Sequence, residues 1–251
     1  CATERALRKG PMTTEIEAIV LTAVRFSDTA YMIHTYSDLF GSLSLRASRP
    51  AGRKTAGGAR ALFIPLSVVH TTIDYRSTRE VFIPRGTTVV QLLSAPSIDP
   101  SANALALFAT ELLHRLLRSA SPDRALYGYL RESLADLDRI PETARASWHL
   151  RLMTGLCHHL GILPRYEEYR LGHLLDLQEG LFRAPRSRGE GAEAGKAELL
   201  YRFITDPDPL SIPLSREERN SLMTLLLDYM TYHFPEMGTL KSPAILRQLL
   251  S

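Results

Sequence analysis

The 251-residue sequence contains two cysteines, Cys1 and Cys157, which are too few for a disulfide framework or a cysteine-based zinc cluster. We therefore expect a protein of a reducing cytoplasm. No apolar run approaches the roughly 18 residues of a membrane span, so no membrane partner is expected. Residues 1–11 (CATERALRKGP) lack the apolar segment of a signal peptide, and we expect them to be a disordered or extraneous tail.

Catalytic motifs are also missing. The sequence has no GxSxG, no GxxxxGK[ST], no HExxH and no GxGxxG after a strand. The run Cys157-His158-His159 does not predict a metal site, because neighbouring side chains on a helix point about 100° apart and do not converge on one ion. We therefore predict a protein that is not an enzyme, with no catalytic residue, no metal site and no cofactor.

Carboxylates are absent between Asp38 and Asp74, although the whole chain is nearly balanced, with 30 Lys+Arg against 27 Asp+Glu. Guanidinium groups bind phosphate oxygens with two hydrogen bonds, and a series of them can follow a nucleic-acid backbone. A solvated loop kept for solubility is the alternative, but such loops usually mix charges of both signs. We predict a nucleic-acid-binding stretch whose residues are Arg46, Arg49, Arg53, Lys54 and Arg60.

Short β-branched and alternating segments predict a small β-barrel in residues 16–92, because no segment of helical period interrupts them. The turn between the second and third segments is Asp38–Gly41. The candidate strands are IEAIVLTAV (16–24), YMIHTY (31–36), SLSLRAS (42–48), FIPLSVVHTTIDY (63–75), REVFI (79–83) and a run around 88–92. Three tyrosines in or beside these strands could stack on bases, although aromatic residues are also ordinary in strands: Tyr31, Tyr36 and Tyr75.

After Pro96 the period becomes helical, which makes the fold class α+β. Asp99 is expected to cap the first helix, Ser121-Pro122 to start the second, and Pro141 to start a third that ends at Gly161. The predicted apolar stripes are Leu105, Phe108, Leu112 and Leu116, then Leu126, Leu130, Leu134 and Leu137, then Trp148, Leu152, Leu156 and Leu160.

The last third of the chain has a weaker pattern. LLDLQEGLF (174–182) predicts a hairpin, residues 184–197 a loop, and residues 196–204 a helix. A capping box at Ser215–Glu218 predicts a helix that Pro235 ends, and Ser242-Pro243 is expected to begin a short terminal helix. The predicted domains are 12–93 and 94–251, with a weakly ordered region at about 171–197.

Three stretches resemble the RecO family of recombination mediators. EAIVLTAVRFSDTAYMIHTYSDLFGSLSL (17–45) is similar to the start of that family's barrel, and FIPLSVVHTTIDY (63–75) to its fourth strand. The tail LSREERNSLMTLLLDYMTYHFPEMGTLKSPAILRQLL (214–250) resembles its C-terminal helices, especially those of Bacteroidetes-type members. The resemblance covers most of residues 14–250 and is weakest at 140–205.

The resemblance implies an N-terminal OB-fold and binding of single- and double-stranded DNA. It also implies annealing of complementary strands and a nucleoid-associated role in DNA repair. The implied partners are RecR and the C-terminal tail of the single-strand-binding protein, with which such proteins load RecA. An acidic tail could dock in a groove beside basic residues of the first helix, such as His114, Arg115 and Arg118; the alternative is that these residues form the solvated edge of a core helix.

The sequence departs from the family at its zinc site. Many members carry four cysteines between the helical domain and the C-terminal helices, whereas residues 162–200 contain none. His173 alone cannot hold zinc, so packing must stabilise the hairpin. Any partner contact that depends on a zinc-ordered surface is therefore in doubt.

Two alternatives remain open from the sequence. The first is an OB module that binds RNA, which a competition between DNA and RNA of one sequence would distinguish. The second is a protein-docking scaffold without significant DNA affinity, in which the helical domain would be the active part.

Overall fold

The structure, a computed structural model, describes residues 12–48, 62–186 and 191–249. Contacts divide these residues into two compact units. The first, the barrel unit, combines the described residues up to Ser94 with Thr110–Ala135. The second, the helical unit, combines Ala95–Ala109 with the described residues from Asp136 onward. The predicted domains, 12–93 and 94–251, stay a prediction, because units defined by contacts need not coincide with domains along the chain.

Six strands of the barrel unit form one sheet that curls into a half-barrel. The order across the sheet is β5-β3-β2-β1-β4-β6, with β3 and β5 parallel and the other neighbours antiparallel. This sheet, followed by helices, confirms the α+β class and is consistent with an N-terminal OB-fold. The strands are β1 (Met12–Ser27), β2 (Ala30–Ser37), β3 (Gly41–Ser48), β4 (Val68–Tyr75), β5 (Val81–Phe82) and β6 (Arg85–Gln91).

The long first strand joins the two halves of this sheet. Residues 12–19 of β1 pair with β4, and residues 18–27 pair with β2. The register shifts between Val20 and Thr22, so Leu21 is an extra residue of the kind that bends a strand and increases its twist. The bend lets a single strand take part in both halves of a curled sheet.

Buried and exposed side chains alternate along the strands, so the core lies on the inner face of the half-barrel. On β3 the buried residues Leu43, Leu45 and Ala47 alternate with partly or fully exposed ones. Burying these side chains removes apolar surface from water at about 25 cal/mol per Å². The core of the sheet consists of Ile16, Ala18, Val20, Ile33, Leu43, Leu45, Ala47, Phe63, Val69, Ile73 and Phe82.

Two predicted strands are shorter in the structure. β4 begins at Val68 rather than at Phe63, because Pro65 has no N–H to donate and Leu66 has a φ of +66°, outside the extended region. Leu66 is nevertheless buried, and its N–H donates to the carbonyl of Val20 at 2.7 Å. The run predicted at 79–83 is reduced to the two residues of β5.

Eight α-helices lie wholly within the described ranges, and α2 and α3 contribute residues to both units. A small hairpin lies between α5 and α6, formed by β7 (Leu174–Asp176) and β8 (Leu181–Arg183). The helices are α1 (Ala95–Ile98), α2 (Pro100–Leu116), α3 (Arg124–Arg139), α4 (Glu142–Arg145), α5 (Trp148–His159), α6 (Gly191–Thr205), α7 (Arg216–His233) and α8 (Ser242–Leu249).

Local sequence signals correctly predicted where several helices begin. The N–H of Ser101 donates to the Asp99 carboxylate at 2.8 Å, which confirms the cap of α2. Both hydrogen bonds of the predicted capping box join Ser215 and Glu218 at the start of α7. The hairpin and the terminal helix are also where the sequence predicts them.

Other helix boundaries differ from the prediction. α3 begins at Arg124 rather than at Pro122, because the Asp123 carboxylate accepts the N–H groups of residues 125 and 126. The helix expected from Pro141 breaks between α4 and α5, where the Ser147 N–H donates to the carbonyl of Ala144, three residues back. α6 begins at Gly191, so residues 191–197 are helix and not the predicted loop.

The turn between β2 and β3 packs on the backbone that follows α2. The N–H and hydroxyl of Ser42 donate to the carbonyls of Ala120 and Arg118 at 2.9 and 2.8 Å. The hydroxyl of Tyr36 donates to the carbonyl of Ser121 at 3.1 Å, and burial raises its pKa to about 12. Gly41 permits this approach, because a Cβ there would lie 2.4 Å from the Ala120 carbonyl oxygen.

A second contact joins β1 to α3 within the barrel unit. The Glu17 carboxylate accepts from the Tyr127 hydroxyl at 2.9 Å and from the Arg131 guanidinium at 2.5 Å. Burial, followed by the hydrogen bond to Glu17, raises the pKa of Tyr127. The Glu17 carboxylate is therefore engaged in holding the helix against the sheet.

Among the described residues, no helix combines the length and hydropathy needed to cross a membrane.

A pair of glycine substitutions tests the contact at Gly41. Gly41 and Gly86 both have positive φ, +67° and +60°, but a Cβ at Gly86 would meet nothing within 4 Å. We expect Gly86→Ala to cost about 1–2 kcal/mol for the backbone conformation alone. Gly41→Ala should cost about 1–3 kcal/mol more, because it overpacks the contact. Denaturant unfolding measures both free energies of unfolding, and equal losses would contradict the contact.

Candidate nucleic-acid interface

Of the five predicted DNA-binding residues, the structure describes one, Arg46 on β3. The other four lie outside the described residues, and their role stays a prediction: Arg49, Arg53, Lys54 and Arg60. Arg46 is exposed between the buried residues Leu45 and Ala47, so its side chain lies on the outer face of the sheet. The strand alternation that buries its neighbours therefore directs this cation into solvent.

The Arg46 guanidinium lies over an exposed aromatic ring. Its central carbon is 5.9 Å from the centroid of the Phe26 ring, within the range of a cation–π contact. Phe26 is 61% exposed near the end of β1, where the register shifts between Arg25 and Ser27. An exposed ring beside a guanidinium is an arrangement that can stack on a base while the cation contacts a phosphate.

Strand register extends this arrangement across three strands. Val24 on β1 pairs with Met32 on β2, and Met32 pairs with Arg46 on β3. Val24 is 51% exposed and Met32 is partly exposed. These residues, Val24, Phe26, Met32 and Arg46, are called the open face. In OB-folds the second and third strands and the first loop commonly bind oligonucleotides, and the open face lies on these elements.

The charge at the open face is positive. Arg25 forms an ion pair with Asp28 in the turn between β1 and β2, so these two charges offset each other. No carboxylate of the described ranges forms an ion pair with Arg46. The guanidinium of Arg46 is thus available to an external anion.

The tyrosines proposed from the sequence as stacking residues are poorly placed for that role. Tyr36 is completely buried, and its hydroxyl bonds to the backbone after α2. The ring of Tyr75 stacks on those of Phe40 and Phe82, with ring centroids 3.9 and 5.4 Å apart. Tyr31 packs against the core. Sequence reasoning missed Phe26, because an apolar residue at a strand end is usually part of a core.

Aromatic contacts and turn hydrogen bonds hold the small hairpin of β7 and β8. The ring of Tyr169 stacks on Tyr201 at 4.2 Å and meets Phe182 edge-on at 5.2 Å. In the turn, Asp176 accepts from the N–H of Glu179 and from Arg183, and the Glu179 hydrogen bond is the main cause of its lowered pKa. Within the described residues, no group of three or more His, Cys, Asp or Glu is placed to hold a metal ion.

The helical unit contains a cavity of about 580 Å³ with a half-buried arginine in its wall. Arg219 donates to the carbonyl of Leu214 at 2.6 Å, while its buried Nε has no partner among the described residues. Burial, and then the charge of Arg216, lowers the pKa of Arg219. The rest of the lining combines apolar residues, among them Ile140, Pro141, Leu210 and Ile212, with polar ones that include a second arginine, Arg151, and one carboxylate, that of Asp208.

Comparisons with known proteins provide independent findings. A family model described as "Recombination protein O C terminal" matches residues 98–243, more than half of the chain. The DNA repair protein RecO of Phocaeicola vulgatus is 30% identical over 239 residues, which cover 93% of this chain and 97% of the relative. The proteins of that name from Bacteroides fragilis and Porphyromonas gingivalis are 28% and 29% identical, over 92% of this chain and 96% and 97% of the relatives.

Proposed function

Because the chain belongs to the RecO family of DNA repair proteins, we propose that it is a non-enzymatic recombination mediator whose barrel unit binds single- and double-stranded DNA. The observation that carries the proposal is the guanidinium of Arg46 over the exposed ring of Phe26. The guanidinium supplies a phosphate contact and the ring a stacking surface. Neither interaction reads a base sequence, so the proposed binding tolerates any sequence.

Strand annealing follows from the same chemistry. A strand held by its backbone and by stacking keeps the pairing edges of its bases free for a complementary strand. The cationic stretch that continues from Arg46 into residues 49–60 would lower the repulsion between the two phosphate backbones. We assign annealing to the barrel unit, and with it the role of helping RecR to load RecA.

We also propose RecR and the C-terminal tail of the single-strand-binding protein as partners. The cavity of the helical unit supports the tail, since it offers apolar side chains around the half-buried Arg219. An acidic peptide that ends in an apolar residue would place its carboxylate on this cation. Arg151, which also lines the cavity, is paired with Asp136 at 2.6 Å.

Substitutions on the open face test DNA binding with a matched control. We expect Phe26→Ala to weaken binding of a fluorescent single-stranded oligonucleotide about tenfold, through lost stacking. Arg46→Ala should weaken binding and reduce the slope of log affinity against log salt by about 0.7, one phosphate contact. Arg76 provides the matched control. It is exposed and follows Tyr75, whose ring stacks on Phe40 at the end of the β2–β3 hairpin away from Arg46. Arg76→Ala should leave both quantities unchanged.

Anisotropy titrations at several salt concentrations measure these affinities. Equal losses at Arg46 and Arg76 would mean that binding depends on overall charge and not on the open face. Competition with RNA of the same sequence distinguishes the RNA-binding alternative, which predicts that RNA displaces the DNA more effectively than unlabelled DNA.

Charge reversal tests the stretch beyond Arg46. The double substitution Arg53→Glu with Lys54→Glu replaces two cations by two anions. We expect it to weaken binding to all DNA sequences by about the same factor and to reduce the rate of annealing. Unchanged affinity in the same titration would assign these residues to solubility and confine the interface to the described open face.

A substitution of Arg219 tests whether the acidic tail binds in the cavity of the helical unit. We expect Arg219→Gln to weaken binding of a fluorescent acidic C-terminal tail peptide about tenfold or more, because the peptide carboxylate loses a charged hydrogen bond. Arg165→Gln, at an exposed position outside the cavity lining, is the control and should bind the peptide normally. Equal affinities of the two variants for the peptide would show that the tail does not bind in this cavity.

A further inference from the structure

Two histidines from distant parts of the sequence meet on the outer face of the barrel unit. His34 lies on β2 and His114 on the last turn of α2, with ring centroids 5.3 Å apart. The hydroxyl of Ser44 lies 3.2 Å from Nδ1 of His34. The other imidazole nitrogens form no hydrogen bond with the described residues. Both rings are partly exposed, so an external group can contact them together.

Cations surround this pair. Arg118 lies two residues after the end of α2, and its carbonyl accepts from the hydroxyl of Ser42, which fixes this segment beside β3. Arg115 is exposed next to His114 on α2. His34, Ser44, His114, Arg115 and Arg118 are called the histidine cluster. Two imidazoles are in contact here, and the charges of two arginines act on them.

Burial, and then the surrounding charges, favour the neutral imidazoles. Burial is the main cause that lowers the pKa of both histidines; Arg118 acts further on His34, and His34, Arg115 and Arg118 act on His114. No carboxylate of the described residues affects the pKa of either ring.

Three carboxylates lie on the neighbouring segments, and none of them is among the charges that act on the two rings. Glu111 lies one turn earlier on α2 and is engaged in an interaction of its own. Asp123 caps α3 and acts on Tyr36. Glu80 precedes β5, whose Val81 pairs with Ser44. The cluster therefore lacks a counter-ion of its own among the described residues.

The histidine cluster is continuous with the open face. His34 pairs with Ser44, and the next pair on the same side of the β2–β3 ladder is Met32 with Arg46. Residues two apart on a strand point to the same face and are about 7 Å apart. A strand of DNA that passes over Phe26 and Arg46 would reach the imidazoles with its next phosphates.

We infer that His34, His114 and Arg118 form a phosphate-binding site that takes up protons when it is filled, so that DNA binding tightens as the pH falls. The inference rests on the proposed function and adds a site and a regulation to it. A phosphate dianion or a phosphodiester supplies the missing negative charge and accepts hydrogen bonds from the protonated rings. The bound state then holds more protons than the free state, and linkage favours binding at lower pH.

Affinity measured against pH tests this site. We expect the affinity for a fluorescent single-stranded oligonucleotide to rise as the pH falls from 8.5 to 5.5 at constant salt, by up to about tenfold per pH unit for each proton taken up. The double substitution His34→Gln with His114→Gln keeps hydrogen-bonding groups but removes the titration, and should abolish most of the rise. His70→Gln is the control: His70 lies on β4 of the same unit, 3.8 Å from the Glu15 carboxylate, and its loss should leave the rise unchanged.

A second measurement uses the unsubstituted protein, so that a folding defect of the variants cannot decide the outcome. Ring-proton NMR titrations, assigned with the single variants, should show that inorganic phosphate raises the pKa of both His34 and His114. A pH-independent affinity, or the full rise in the double variant, would overturn the inference, as would pKa values that phosphate leaves unmoved. Failure to bind DNA at any pH would contradict the proposed function instead, and the phosphate titration would still decide the histidine site.

Discussion

The close approach of the β2–β3 turn to the backbone after α2 is the constraint on which the rest of the barrel unit depends. Only a residue without a Cβ fits at Gly41, and the hydrogen bonds of Ser42 and Tyr36 then fix residues 118–121 against the sheet. This contact covers one end of the outer face of β2 and β3 and leaves the other end open. His114 meets His34 on the same side of β2 and β3.

The open end has the properties that nucleic-acid binding requires. Burial of Leu45 and Ala47 holds β3 rigidly, so Arg46 is presented on a strand and not on a loop. Within the described residues its guanidinium has no competing carboxylate, and an anion does not have to displace an internal ion pair. By contrast, the carboxylate of Glu17 is engaged with α3, where it stabilises the unit without opposing a phosphate near Arg46.

Much of the fold could be predicted from local patterns in the sequence. Alternation of polar and apolar residues identified β3, and the caps at Asp99 and Ser215 identified helix starts, because these signals act within a few residues. The predictions failed where tertiary packing overrides them. Leu66 adopts a positive φ because its burial offsets the strain, and Asp123 rather than Pro122 determines where α3 begins.

The site was predictable only in part. A gap in carboxylates is visible in the sequence, and it is the reason why Arg46 is a candidate; the structure shows that Arg46 is exposed, and its role in binding stays a prediction. The contact of the Arg46 guanidinium with the Phe26 ring depends on strand register and on the bulge near Ser27. The contact of His34 with His114 depends on how α2 packs on the sheet. Such contacts between distant residues leave no local signal. The half-buried cation Arg219 was missed for the same reason, since its burial results from the packing of α7 beside residues 140–147 and 208–214.

The most direct test of the central claim is to map where DNA touches the protein. A single-stranded oligonucleotide with a photoreactive base would be cross-linked to the full chain, and the attached peptides identified by mass spectrometry. We predict cross-links within residues 24–48, at or beside Phe26, Met32 and Arg46. Cross-links confined to the helical unit, with none on β1, β2 or β3, would contradict the account.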